Sequence, residues 1–322
     1  MEDVNISYAI SISGEPLMGN MNMLILSPIH YHRIRHLIQN IDFNTYFAQV
    51  VSQKKVRGTI YINDLANPSA CLIFHPYGML LLCGQNDKAD FNAEFKEFLL
   101  HTSYPRPLWL QVYPSDWSNL LKLLLGHKLV KYPQKSDRFK AEREFRKLNQ
   151  KKVIECTRVN LVLNRNKYLA TQKLEIPQGL RIVRVDQQLF QNILGTVVPK
   201  YFWDSDEDFV KRGVGFSLLE GEVLLSTCFS AFVIGNYFEI GIETNPQYRR
   251  KGHAELAARA YIDFCLAQGF EPLWSCRKEN LGSYRLAQKL GFEVKQESPY
   301  YGLVNNNNLC LSSQPNLSTG NF

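Results

Sequence analysis

No Cys-x-x-Cys pair occurs in this chain of 322 residues, and its seven cysteines show no metal-ligating spacing. That excludes zinc ribbons and thioredoxin-type redox motifs, and an odd cysteine count argues against a disulfide framework. Five of the seven sit among apolar neighbours, where a free thiol packs as a small hydrophobe. A reducing, cytoplasmic setting is the expectation. Long apolar runs are missing too: none reaches the roughly 18 residues of a membrane span. The first residues lack the basic-then-apolar order of a signal peptide. No block of one charge sign appears. The nearest, Lys135–Lys152, interleaves Asp137, Glu142 and Glu144 with its basic residues and reads as a solvated helix face, so no nucleic-acid partner is expected. The nucleotide-binding patterns G-x-G-x-x-G and G-x-x-x-x-G-K-[ST] do not describe its glycine-containing turns. His30, His32 and His36 form a helical cluster without Cys or acid partners, and no metal site is expected there.

What is present is the composition of a globular protein, 45% hydrophobic, 12% aromatic and 21% charged. With 37 Lys and Arg against 30 Asp and Glu, the formal charge is +7, a mild excess that one nucleotide-like anionic partner satisfies. The length predicts two domains. Residues 1–20 are polar. Ser27–Asn40 carries helical spacing. Strand-like runs at Val56–Ile62, Ala70–Phe74, Gly78–Cys83 and Leu108–Val112 alternate with helices at Asp90–Leu100 and Ser115–Leu125. Phe139–Leu148 is compatible with strand or helix. The polar stretch Leu163–Gly179 is a plausible join.

Beyond it come a strand (Leu180–Val185), a helix (Gln187–Ile193), and a second helix opened by Asp204 or Ser205. Strands at Gly215–Leu219, Val223–Val233 and Tyr237–Glu243 follow, separated by hairpin turns. A long helix from about Gly252 to Gln268, a strand Leu273–Cys276, a helix Asn280–Leu290 and a strand Phe292–Val294 complete the pattern. Residues 305–322, rich in Asn and Ser, are expected to be a disordered tail.

Chemistry concentrates between Tyr237 and Phe292. A strand ends at Asn245-Pro246, a basic turn Arg249-Arg250-Lys251-Gly252-His253-Ala254 follows, and a helix starts. Free N–H groups and the positive end of the helix dipole meet at such a place, which therefore binds anions. Gly252 admits close approach of phosphate oxygens, and Ala254 keeps the first helical turn small.

The turn R-x-x-G-x-A resembles the coenzyme A pyrophosphate loop of the GNAT acetyltransferase superfamily. The preceding strand, the helix after it, and Glu279-Asn280-Leu281-Gly282-Ser283 leading into Leu290-Gly291-Phe292 resemble the rest of that family's signature. Within it, Glu239-Ile240-Gly241-Ile242-Glu243-Thr244 with Tyr248-Arg249, together with Gly58-Thr59-Ile60-Tyr61 and Asn67-Pro68-Ser69-Ala70, is similar to the family that includes zwittermicin A resistance proteins. The resemblance implies an α/β (α+β) fold. A C-terminal mixed, mostly antiparallel sheet flanked by helices (166–304) would follow a second α/β domain (1–165), a candidate degenerate copy of the same fold.

By the same resemblance the chain is an acyl-CoA-dependent N-acetyltransferase using acetyl-CoA. The expected acceptor is a primary amine of a small molecule, such as an aminopolyol or amino-antibiotic, which would make antibiotic resistance its role. A protein or peptide acceptor and a non-catalytic coenzyme A-binding module are the alternatives, and a homodimer is compatible. The strand 237–244 is expected to splay from its neighbour, with Ile242, Glu243 and Thr244 along the pantetheine arm. The turn Arg249 to Ala254 would hold the pyrophosphate, with Asn280 and Ser283 nearby. Glu239 is the first candidate base and Glu243 the second. The family's usual Tyr acid falls at Ala287, leaving Ser283 and Tyr284 as alternatives. Trp203, Asp204 and Asp206 are expected on the acceptor side.

Overall fold

The computed structural model describes residues 23–101, 107–132, 152–172 and 174–304. Its strands join one sheet of thirteen. In chain order the strands of the first half are β1 (Leu24–Ile25), β2 (Thr59–Ile62), β3 (Ala70–His75), β4 (Met79–Gly84), β5 (Leu108–Tyr113), β6 (Leu129–Lys131) and β7 (Lys152–Leu163). Those of the second are β8 (Leu180–Arg184), β9 (Gly215–Glu220), β10 (Val223–Ile234), β11 (Tyr237–Thr244), β12 (Glu271–Arg277) and β13 (Phe292–Val304). The helices are α1 (Arg35–Ile38), α2 (Tyr46–Ser52), α3 (Ala89–His101), α4 (Asp116–Leu125), α5 (Arg165–Ala170), α6 (Gln187–Asn192), α7 (Asp206–Arg212), α8 (His253–Ala267) and α9 (Leu281–Lys289).

The sheet runs β1-β2-β3-β4-β5-β13-β7-β12-β11-β10-β9-β8, with β6 beside β7. The order repeats itself about its middle. In each half a meander (β2-β3-β4, β9-β10-β11) leads through a helix (α3, α8) to a parallel strand (β5, β12). The last strands are then exchanged: β13 lies against β5, and β7 lies against β12. β7 and β13 pair with each other from Phe292↔Leu163 to Val304↔Lys152.

Side chains alternate between faces along a strand. One face carries Leu72, Leu80 and Leu110 under α3 and α4, and Phe238, Ile240 and Val159 under α8 and α9. The opposite face carries a single core drawn from both halves, including Ile73, Leu81, Phe229 and Phe232, with Phe47 of α2 and Phe202 packed among them. Each such buried ring contributes roughly 1.5–3 kcal/mol. α2 therefore packs against β3 and β4 of the first half and β10 of the second, and the two halves share an interior.

Most expected elements recur with shifted ends. Four differ. The helix expected over Ser27–Asn40 is a 3-10 helix, Pro28–Ile34, followed by the short α1. Its buried residues Tyr31 and Ile34 lie three apart, a spacing that a three-residue turn stacks on one side. The strand expected to end at Val294 runs on to Val304 past a register shift between Val294 and Gln296. The join Leu163–Gly179 contains α5, capped by Asn164, whose side chain accepts from the Lys167 N–H. β1, α2, β6 and β7 have no counterpart in the sequence expectation. Residues 1–20, 139–148 and 305–322 lie outside the described residues.

Candidate active site

The parallel pair β11–β12 is where the site opens. Its register covers Tyr237↔Glu271, Phe238↔Pro272 and Glu239↔Leu273 and then stops, although both strands run on. β11 continues to Thr244 against β10, and β12 continues to Arg277 against β7. The strands diverge beyond Glu239. The corresponding pair of the first half, β4–β5, stays zipped over five residue pairs from Met79↔Trp109 to Cys83↔Tyr113. Among the described residues, such a gap lies in the second half and not between β4 and β5. Ile242 and Thr244 line its β11 edge.

The turn after β11 has the backbone of an anion-binding turn. Gly252 takes the cap position of α8 with φ 82, and no side chain caps the helix. A Cβ built there meets nothing within 4 Å, so the space over the turn is open. Arg250 also has a positive φ of 66, whereas Lys251 between them does not. Alternating hand along a turn directs successive N–H groups outward into an anion-binding concavity. Arg250 and Lys251 are exposed, with the Lys251 ammonium 5.5 Å from the Tyr248 ring centre. His253 and Ala254 open the helix, where N–H groups lack intrahelical partners.

Glu239 is the last paired residue before the gap, and it is buried, with 4% of its surface exposed. One oxygen accepts from Arg158 of β7 at 3.3 Å and the other from the Asn44 amide at 2.9 Å. Asn44 is itself fixed: its amide also donates to Ser275 (3.1 Å), its N–H donates to the Asn160 side chain (2.7 Å), and its Oδ1 accepts from the Tyr46 N–H (2.9 Å). Burial pushes the Glu239 carboxyl above the usual carboxylate range, opposed by Arg158 and by hydrogen bonds from Asn44 and Ser275. Burial, with Glu239 and Tyr237 adding, pushes the Tyr46 phenol up to about 12. These partners come from loop 41–46, β7 and β12, which meet only in the folded sheet.

Glu243 shares the strand face of Glu239 two steps on. Its Oε2 accepts from the Thr196 N–H, the Thr196 hydroxyl and the Val197 N–H, each at 2.9 Å. Its Oε1 accepts from Arg249 at 3.0 Å, and Arg249 Nε donates to the Thr244 carbonyl at 3.0 Å. Arg249 is thus tethered to β11, unlike Arg250 and Lys251. Asn280 caps α9 by accepting from the Ser283 N–H. Ser283 Oγ accepts from Trp274 Nε1 at 2.9 Å, and Tyr284 is half-buried against the α8–α9 core. Trp203 is buried and donates to the Ser230 carbonyl at 2.8 Å. Asp204 accepts from the Arg57 N–H at 2.9 Å and Asp206 from Gln191 at 3.3 Å, so all three are engaged by the scaffold. Among the described residues, no group of three or more His, Cys, Asp or Glu side chains is gathered for a metal, and no helix is long and apolar enough to cross a membrane.

Comparison with known proteins meets this geometry at the level of the whole chain. The sequence model of the family described as GNAT acetyltransferase matches residues 35–301. The chain belongs to the GNAT acetyltransferase family. The match spans both halves of the sheet, and the protein is accordingly an acyl-CoA-dependent N-acyltransferase. The uncharacterized N-acetyltransferase YdfB of Bacillus subtilis (strain 168) is 25% identical over 260 residues, 79% of this chain and 89% of YdfB. Among solved structures, a GCN5-related N-acetyltransferase-like protein from Streptococcus suis superposes with a TM-score of 0.59 at 19% identity, over 85% of this chain and 98% of that one. A tandem GNAT protein from the clavulanic acid biosynthesis pathway superposes at 0.54 and 9% identity, over 88% and 98%. The tandem GNAT fold agrees with the doubled strand order described above.

Sequence reasoning missed Asn44, Arg158, Asn160 and Ser275. Only β7 carried a signal: the β-branched residues of Val153, Ile154, Thr157, Val159 and Val162 mark a strand.

Proposed function

We propose that this GNAT enzyme transfers an acetyl group from acetyl-CoA to a primary amine of a small molecule, an aminopolyol being the type acceptor, with Glu239 as general base. The position of Glu239 carries this reading: a buried carboxylate at the point where β11 and β12 part. Acetyl-CoA supplies the activated acyl group. Its diphosphate would lie on the Arg250–Ala254 turn and its pantetheine arm along Ile242, Glu243 and Thr244.

An alkyl amine resembles Lys, with a pKa near ~10, and must lose a proton before it attacks. A carboxylate raised above its usual range by burial is a stronger base, and Arg158 and Asn44 keep its charged form available. Glu243 is the weaker candidate, because four donors already occupy its two oxygens. Tyr284 or Ser283, or water, would return a proton to the departing thiol. Ser283 is partly committed to Trp274.

A small acceptor is favoured over a peptide. Loop 41–46 sits over Glu239 and α2 packs on β10, so the approach to the carboxylate is roofed by the first half of the chain. The test is thiol release from acetyl-CoA with a panel of aminopolyols, polyamines, amino acids and peptides. Glu239→Gln should lower turnover by about 10²–10⁴-fold while changing acetyl-CoA affinity little. A variant that loses affinity and keeps turnover removes Glu239 as the base. Coenzyme A binding without thiol release from any amine favours the non-catalytic module.

A further inference from the structure

The Glu243 carboxylate joins two segments that approach the gap from different sides. Oε2 holds the loop after α6 through the Thr196 N–H, the Thr196 hydroxyl and the Val197 N–H. Oε1 holds Arg249, the first residue of the diphosphate turn, whose Nε is anchored on the Thr244 carbonyl. Glu243 is 9% exposed, so water does not compete freely for these positions. The loop comes unusually close: a Cβ on Gly195 would lie 2.6 Å from Glu243 Cγ, and Gly195 has φ 145, a conformation that side-chain-bearing residues avoid.

We propose that Glu243 is a positioning residue that couples the cofactor turn to the 195–197 loop, so that occupation of the turn orders the loop beside the acceptor. The proposal rests on the reading of the 249–254 turn as the coenzyme A site. A ligand that restricts the turn restricts Arg249, and through its guanidinium the orientation of the Glu243 carboxylate. That orientation decides whether three donors of the loop find their acceptor. Coupling between sites is reciprocal, so an acceptor that settles the loop tightens coenzyme A in turn.

The amides of Thr196 and Val197 report the coupling directly by hydrogen–deuterium exchange, with calorimetry of free coenzyme A alongside. In the wild-type chain, saturating coenzyme A should slow exchange at these two amides at least about fivefold, the lower end of ordinary coupling between sites. Arg249→Gln, held at coenzyme A concentrations that calorimetry shows to saturate the variant, should lose the slowing, because the link is cut while the turn is occupied. Thr196→Val should keep the slowing, since both backbone donors survive; a purely structural loosening of the loop would remove it. Glu243→Gln, with one oxygen to serve both sides, should exchange faster without ligand and respond less. Binding heat in the wild type with unchanged exchange overturns the coupling, as does equal slowing in Arg249→Gln. Absence of heat in the wild type refutes the coenzyme A reading of the turn, and the coupling falls with it.

Discussion

Replacing Arg158 by Met probes the site most sharply. Arg158 and Glu239 are a buried ion pair at 3.3 Å, with side chains 10% and 5% exposed. The guanidinium also lies 5.2 Å from the Tyr300 ring centre. Met fills similar apolar volume, so the loss is mainly electrostatic. Removing one partner of a buried pair typically costs about 3–5 kcal/mol, because the other charge is left uncompensated. Here the Asn44 amide still donates to Glu239 at 2.9 Å, and a hydrogen bond to a charged group retains about 1.5–3 kcal/mol. The expected loss is therefore near the lower figure, about 3 kcal/mol at pH 7.5.

The pH dependence supplies the internal control. Burial already raises the Glu239 carboxyl, and Arg158 opposes that rise. Without Arg158 the folded value climbs further above the unfolded one. A carboxyl raised in the folded state gives its full contribution below the unfolded value and loses it as pH rises through the folded one. Acidification from pH 7.5 towards 5 should then shrink the deficit of Arg158→Met against wild type, by no more than about 1.4 kcal/mol per pH unit for a single proton. Urea unfolding at several pH values measures both. Adding Glu239→Gln to the Met variant should restore stability to within about 1–2 kcal/mol, since an apolar or neutral replacement of both partners is often close to neutral. A deficit below about 1 kcal/mol, or one independent of pH, refutes the picture of an uncompensated buried carboxylate.

Three further outcomes follow from described groups. Asn44→Ala removes a donor to the charged form of Glu239, so the acid limb of the rate–pH profile should move to higher pH with the KM for acetyl-CoA nearly unchanged; a fixed profile would count against Asn44 acting through Glu239. Gly252→Glu places a side chain and a like charge where φ is 82, and coenzyme A affinity measured by calorimetry should fall at least about 100-fold; unaltered affinity would relocate the diphosphate. Burial pushes His75 down to about 3, so its contribution is present above about 6.5 and lost as pH falls towards 3, at about 1.4 kcal/mol per unit. His75→Phe, among the rings of Phe202 and Phe232, should flatten the stability–pH slope between pH 6 and 4, and an undiminished slope would show that other groups set it.

The turn 249–254 was legible because its chemistry is local: a strand end, three basic residues, a glycine and a helix start follow within a few residues of one another. Glu239 was legible by its place on the same strand. Its partners were not. Asn44 lies 195 residues away and arrives on the loop between α1 and α2, and Arg158 lies 81 away and arrives through the pairing of β7 with β12. β7 hid because its inward face carries Arg158 and Asn160, polar residues that break the apolar alternation of a half-buried strand. Trp203 looked like an acceptor-side aromatic because Asp204, Asp206 and Glu207 adjoin it. Its buried indole donates to the Ser230 carbonyl of β10, and Asp206 and Glu207 occupy the first turn of α7, where acids complement the helix dipole.

The crossed placement of β7 and β13 has a consequence for how such a molecule can change. A gene cut between the halves would leave each product without its closing strand and with a raw edge open to aggregation. Neither half can therefore be lost without uncovering an edge of the other. The first half is a permanent lodger whose side chain, Asn44, reaches across to the carboxylate of the second.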